Sequence, residues 1–204
     1  NNHDLDRRTL VNDGTVAWEG GNVRGGNTSS IVNNALWLDR LAGNAGFNRE
    51  YGGSDGEWVN NGTYRKSTNT ITTFAHTLRN RGEFDVDAGT LRLAGGTTHE
   101  TGSRITVASG ALVEIHSSHT FQSGVTLDGP VKLIGTAVVT GDLQASNFEI
   151  AGGVLAGDHT LHGRYRWSTG NLNTSGLTVI ASDAVFTITG TGDHDLDRRL
   201  LINR

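Results

Sequence analysis

The residues His3-Asp4-Leu5-Asp6-Arg7-Arg8 recur unchanged as His194-Asp195-Leu196-Asp197-Arg198-Arg199. Each copy runs into two aliphatics and an asparagine, Leu10-Val11-Asn12 and Leu201-Ile202-Asn203. The offset is 191 residues, so the 204-residue chain reads as one long unit, about residues 3–193, followed by the opening of the next, residues 194–204. A fold whose end repeats its own beginning must let one unit succeed another, which is the property of tandem arrays. The expectation is an interior piece of a repeated structural or adhesive protein, folded as a single solenoid segment over residues 1–204.

A shorter period lies inside the long one. Asn12-Asp13-Gly14, Asn60-Asn61-Gly62 and Asn80-Arg81-Gly82 each precede a strand-like run, and asparagine and glycine both tolerate left-handed backbone angles. A second corner type joins Val86-Asp87-Ala88-Gly89-Thr90-Leu91 to Val107-Ala108-Ser109-Gly110-Ala111-Leu112 at an offset of 21. Ile150-Ala151-Gly152-Gly153 and Trp167-Ser168-Thr169-Gly170 give 17. Offsets near twenty suit one coil of a parallel β-helix with two or three short strands per turn. Leu91-Arg92-Leu93, Phe84-Asp85-Val86, Ile105-Thr106-Val107 and Val131-Lys132-Leu133 alternate apolar and polar, one face in and one out. Leu91/Leu112 and Leu93/Ile115 are the expected aliphatic ladders.

The fold class expected is all-β, a right-handed parallel β-helix of about ten coils of roughly 20 residues. At ~4.8 Å per coil the rod is roughly 45–50 Å long. Such a stack leaves an open edge at each end, and no polar helical cap is legible at either terminus, so head-to-tail self-association at high concentration is expected. Gly43 to Glu57 is the least regular stretch and reads as a loop or distorted coil, whereas Asn34 to Ala42 could make about two helical turns on its leucines or, with Trp37 and the flanking asparagines, fit a coil.

Composition agrees and removes several classes. Gly 29 against Pro 1 gives many corners without interrupting a ladder, and aromatics at 6% point to a thin core of small aliphatics. Net charge is −4 and the only lysines are Lys66 and Lys132, so no nucleic-acid footprint is present. No apolar run approaches the ~20 residues that span a bilayer, so no membrane insertion is expected. Cys 0 excludes disulfides and thiolate metal sites.

The ordered elements Leu5-Asp6-Arg7, Gly14-Thr15-Val16-Ala17-Trp18, Gly20-Gly21-Asn22 and Asn61-Gly62-Thr63 continue through Lys66-Ser67 and Gly89-Thr90-Leu91-Arg92-Leu93. Gly95-Gly96, Val107-Ala108-Ser109-Gly110-Ala111, His119-Thr120-Phe121 and Trp167-Ser168-Thr169-Gly170 complete the series. Together they resemble a long β-solenoid repeat of giant secreted bacterial surface proteins of the adhesin or filamentous-haemagglutinin-like type. The resemblance covers most of the chain in order. It implies an extracellular or cell-surface stalk or fibre, with neighbouring repeats of the same chain as partners and host or matrix glycans as further ones. The family carries no catalytic signature, so no cofactor and no catalytic residue are implied. Leu38 to Trp58, with Arg40, Arg49 and Glu50, departs from the pattern and could hold a loop with its own role.

Three constellations carry possible chemistry. His76-Thr77-Leu78, His119-Thr120-Phe121 and His159-Thr160-Leu161 repeat one triplet at offsets of 43 and 40, about two coils, with His99 between the first two. Stacked imidazoles could bind a transition metal or titrate as a stripe; the competing reading is turn capping, since levels two coils apart lie ~10 Å from one another. Trp18, Trp37 and Trp58, with Trp167, could stack on sugars, or plug the core. Asp85 and Asp87, roughly 7 Å apart on one strand face, have a separation compatible with glycosidic acid/base work. Asp4 with Asp6 and Asp195 with Asp197 share that spacing, which a solvated strand face also produces. The alternatives to a stalk are therefore a carbohydrate-active β-helix, lyase or glycosidase, or a non-catalytic glycan-binding module.

Overall fold

A computed structural model gives the fold, and it describes residues 1–54 and 56–204. The chain winds as about ten stacked coils, each made of three short strands set on three faces. Face one takes His3–Asp4, Val23–Arg24, Ala45–Asn48, Ile71–Phe74, Thr90–Leu93 and Leu112–Ile115. Face two takes Thr9–Asn12, Ser30–Asn33, Glu57–Asn60, Thr77–Asn80, Thr97–His99, Ser118–Phe121 and Thr136–Val139. Face three takes Thr15–Trp18, Leu36–Asp39, Thr63–Lys66, Glu83–Val86 and Arg104–Val107. Further along, Val125–Leu133, Gly141–Ala156 and His159–Asn171 bend from face to face without a break. Pairing is parallel throughout, each strand on the one a coil away.

Alternation explains the section. In Glu83–Val86, Phe84 and Val86 are buried while Glu83 and Asp85 face outward, and Arg104–Val107 repeats this one coil on. Leu93 stacks on Ile115 as expected, but Leu91 stacks on Val113; Leu112 opposes Thr90 and points away from the core. That one-residue difference matters, because a shift of one in a strand exchanges inside for outside. Full burial of each such aliphatic contributes roughly 1.5–3 kcal/mol.

The core is not thin and aliphatic along its whole length. Trp18, Trp37, Phe47, Trp58, Tyr64, Phe74 and Phe84 form a continuous aromatic pile through the first coils, with Phe47–Phe74 and Trp58–Phe74 centroids 4.5 and 4.4 Å apart. Leucine, isoleucine, valine and alanine dominate the later coils. The densest aromatic packing is in the first coils, with Phe121, Phe148, Tyr165 and Trp167 buried at intervals further along.

The two corner types differ physically. Gly89 and Gly110 hold φ of 72° and 85°, the left-handed region where glycine alone is unstrained. Gly62 and Gly82 do not. A Cβ on Gly62 would lie 2.1 Å from the Ala35 carbonyl oxygen, and one on Gly82 would lie 2.0 Å from that of Gly62. These glycines serve close coil-to-coil approach, which corrects the left-handed reading of the Asn-x-Gly triplets. The stretch Gly43 to Glu57 is also more regular than expected, for Ala45–Asn48 is a full strand between Val23–Arg24 and Ile71–Phe74. Asp55 lies outside the described residues.

Candidate functional site

The asparagines of the Asn-x-Gly triplets, together with Asn33, turn inward at the end of their face-two strands. Asn12 Nδ2 donates to Asn33 Oδ1 at 2.7 Å, Asn33 Nδ2 to Asn60 Oδ1 at 2.8 Å, and Asn60 Nδ2 to Asn80 Oδ1 at 3.0 Å. The second amide hydrogens reach carbonyls of face three, Leu36 from Asn12, Thr63 from Asn33 and Glu83 from Asn60. The result is a buried amide spine that satisfies the donors of Asn12, Asn33 and Asn60 and fixes the corner between two faces. Above Asn80 the column changes to His99 and then Phe121, and among the described residues Asn80 Nδ2 finds no acceptor.

A second buried polar cluster joins three coils on the other side. Asp39 ends its face-three strand pointing inward, and its register partner one coil on is Lys66. Asp39 Oδ2 accepts from the Tyr64 hydroxyl at 2.5 Å and from Thr72 Oγ1 at 2.5 Å, while Oδ1 accepts from the Leu41 amide at 3.2 Å. Lys66 Nζ stands 3.8 Å from Asp39 Oδ2 and donates to Thr70 Oγ1 at 2.9 Å. Desolvation lowers the Lys66 pKa against the opposing pull of Asp39, and desolvation followed by the Asp39 charge raises that of Tyr64 well above its ordinary value. Fully covered and internally bonded, the cluster acts as a clamp between coils, with its carboxylate committed to hydrogen bonds.

The histidines do not form an outward column. His99 and His119 sit on adjacent coils of face two, buried, with Nε2 and Nδ1 3.4 Å apart, and the His99 ring lies 4.5 Å over Phe121 at 7°. His76 occupies a corner and meets the Asn48 carbonyl at 2.6 Å through Nε2, beside a cavity of about 20 Å³ that also touches Phe47 and Trp58. His159 is buried on face three with Nε2 3.0 Å from Thr178 Oγ1. The His-Thr triplets fall out of register because corner lengths vary: His119 is stacked through Thr97 on Leu78, not on His76. Desolvation lowers all four pKa values, to about 4 for His119 and His159. Among the described residues no three His, Cys, Asp or Glu side chains come together as a metal site.

Trp18, Trp37 and Trp58 are 3%, 2% and 2% exposed, so the sugar-stacking role considered for them is corrected to core packing. Trp167 is buried too, its Nε1 donating to the Gly170 carbonyl at 3.0 Å. Asp85 and Asp87 do share an outward face, with Arg65 against both, at 3.5 and 2.7 Å. Desolvation and then Asp87 raise the Asp85 pKa. Arg65 already occupies the space between the carboxylates. Asp4 is held by Arg24 at 2.7 and 2.8 Å, and Asp6 accepts from Asn27.

Outward charges pair along the rod. Arg79 bridges Glu57 at 2.9 Å and Glu100 at 3.1 Å across face two, and Arg92 meets Glu114 at 2.9 Å on face one. Such exposed pairs each contribute under ~1 kcal/mol and mainly fix register. Asn12, Asn60 and Asn80 were singled out in the sequence as corner residues and not as an inward column, and Asn33 and the Asp39 clamp were not singled out. The spine could have been found there, since Asn12, Asn33, Asn60 and Asn80 recur near the coil period. No protein-family model, curated protein or solved structure matches this chain. Fold and geometry define a β-solenoid repeat segment.

Proposed function

We propose that this chain is a rigid spacer repeat in the stalk or fibre of a long extracellular or cell-surface bacterial protein, with neighbouring units of the same chain as its partners. Its work is mechanical reach, and glycan or receptor specificity resides elsewhere in the parent protein. The observation that carries the reading is the duplicated hexapeptide. Both copies enter the stack as parallel strands and turn a corner of the same backbone shape, with Arg7 at φ 52° and Arg198 at φ 58°. A non-glycine residue in that region is uncommon, so its recurrence is specific.

The interior supports the same role. Side chains of unusual chemistry point inward and are used to hold coils together, while the outside carries paired charges. Among the described residues, the exposed large hydrophobics Val11, Val185, Ile188, Leu196 and Leu200 all lie in the first or last coil, where another unit would stack.

Small-angle scattering on chains of one, two and three consecutive units tests the proposal. The cross-section should stay constant while length grows by about 45 Å per unit. Units tumbling independently on flexible joints would overturn it. Release of reducing ends or unsaturated products from a polysaccharide panel would favour the carbohydrate-active alternative instead.

A further inference from the structure

The two copies of the hexapeptide do not lie on the same side of the rod. His3–Asp4 is on face one, paired with Val23–Arg24, whereas His194–Asp195 is on face two, paired with Gly170–Asn171. The strands that follow are displaced in the same sense. Thr9–Asn12 pairs with Ser30–Asn33 on face two, and Arg199–Asn203 pairs with Gly176–Ile180 on face three.

The displacement preserves local chemistry. Each histidine sits at a tryptophan corner: His3 Nε2 lies 2.8 Å from the Gly20 carbonyl where Trp18 Nε1 donates to Gly21, and His194 Nε2 lies 3.1 Å from the Trp167 carbonyl where Trp167 Nε1 donates to Gly170. The first corner leads from face three to face one, the second from face one to face two. The element has moved round the rod with its surroundings.

Counting gives the reason. When the continuous strands are divided at the corners they turn through, His3–Asp4 is the first strand segment and His194–Asp195 the twenty-ninth. Twenty-eight segments at three per coil make nine coils and one face over.

We infer that successive copies of the 191-residue unit are turned by one face, a third of a turn, about the rod axis. The inference rests on the tandem reading proposed above. Each unit then rises about 45 Å, and the same face returns only every third unit, after 28 coils or about 130 Å. Asn203, the counterpart of Asn12, stacks over Ile180 and opens the next amide spine on face three instead of face two. The charged row of Glu57, Arg79, Glu100 and Arg81 would likewise pass to each side in turn. A fibre of this kind offers a given patch to separate partners all round it. It cannot lay one continuous stripe along a flat surface.

Two cysteine pairs in the full chain test the turn. Leu200 is outward and next to Leu177 in the register found here. Were the second copy on the same faces as the first, residues 199–203 would lie on face two, over the strand that holds Asn171. With a methanethiosulfonate crosslinker spanning about one strand spacing, Leu177→Cys/Leu200→Cys should link in high yield and Asn171→Cys/Leu200→Cys should not. Crosslinking of the second pair, or of neither, would overturn the inference. The tandem reading is judged separately, from the copy number in the parent sequence and from scattering of multi-unit chains, so the two can fail independently.

Discussion

Asn33 and Asn60 lie on neighbouring coils with their side-chain amides joined at 2.8 Å inside the rod. Each spends its remaining donor on a face-three carbonyl, so the pair ties strand, corner and neighbouring coil into one unit. Asn60→Ala removes the middle of the spine. It leaves one Asn33 amide hydrogen and the Asn80 Oδ1 acceptor buried without their partners, and should cost about 2–4 kcal/mol in urea unfolding. Asn61→Ala, on the exposed side of the same corner, should cost under about 1 kcal/mol.

The Asp39 clamp makes a sharper contrast. Asp39→Ala strands the Lys66 ammonium in a site with no exposure and should cost about 3–5 kcal/mol. Asp39→Leu combined with Lys66→Met removes both charges and should cost less than Asp39→Ala alone. Denaturant midpoints of the three chains decide it.

Stability should fall in mild acid. His119 and His159 have pKa values of about 4 in the folded chain, lowered first by desolvation, against an ordinary value of 6.5. Between those values the unfolded chain binds protons that the folded chain does not, so stability rises with pH from about 4 to about 6.5 and is flat in these groups above that. His119→Leu should flatten the slope in that window, by up to ~1.4 kcal/mol per pH unit. Unfolding free energy measured at half-unit steps from pH 4 to pH 7.5 reads it.

Gly82 and Gly14 have the same place in their corners but different neighbours. A Cβ at Gly82 would meet a carbonyl oxygen of the coil below, whereas Gly14, in the first coil, has nothing within 4 Å. Gly82→Ala should therefore destabilise by about 2 kcal/mol or more, and Gly14→Ala should leave stability unchanged. If rods stack end to end, Gly14→Ala should weaken that association. Light scattering at millimolar protein compares the two.

The coil was legible because its two causes are local. Alternation in Phe84-Asp85-Val86 and the glycines of Asp87-Ala88-Gly89 and Ala108-Ser109-Gly110 say what each short segment does without reference to the rest. What was not legible depends on adding corner lengths over several segments. One residue more or less decides whether Leu91 meets Leu112 or Val113, and whether His119 stacks over His76 or Leu78. The same addition hides the turn between the two hexapeptides, which only the sum of all intervening segments reveals. The amide spine left a trace in the recurrence of its asparagines, but their inward direction was not legible. Asn-x-Gly spells both a left-handed corner and an inward asparagine beside a close coil contact, and only the neighbouring coil distinguishes them.

Everything here depends on parallel superposition of coils, and backbone nuclear magnetic resonance tests it most directly. The face-three column Phe84, Ile105 and Leu127 should give Hα–HN contacts between residues about 21 apart, running in the same direction along all three strands. Close Hα–Hα contacts between sequential strands, the mark of antiparallel pairing, would contradict the solenoid.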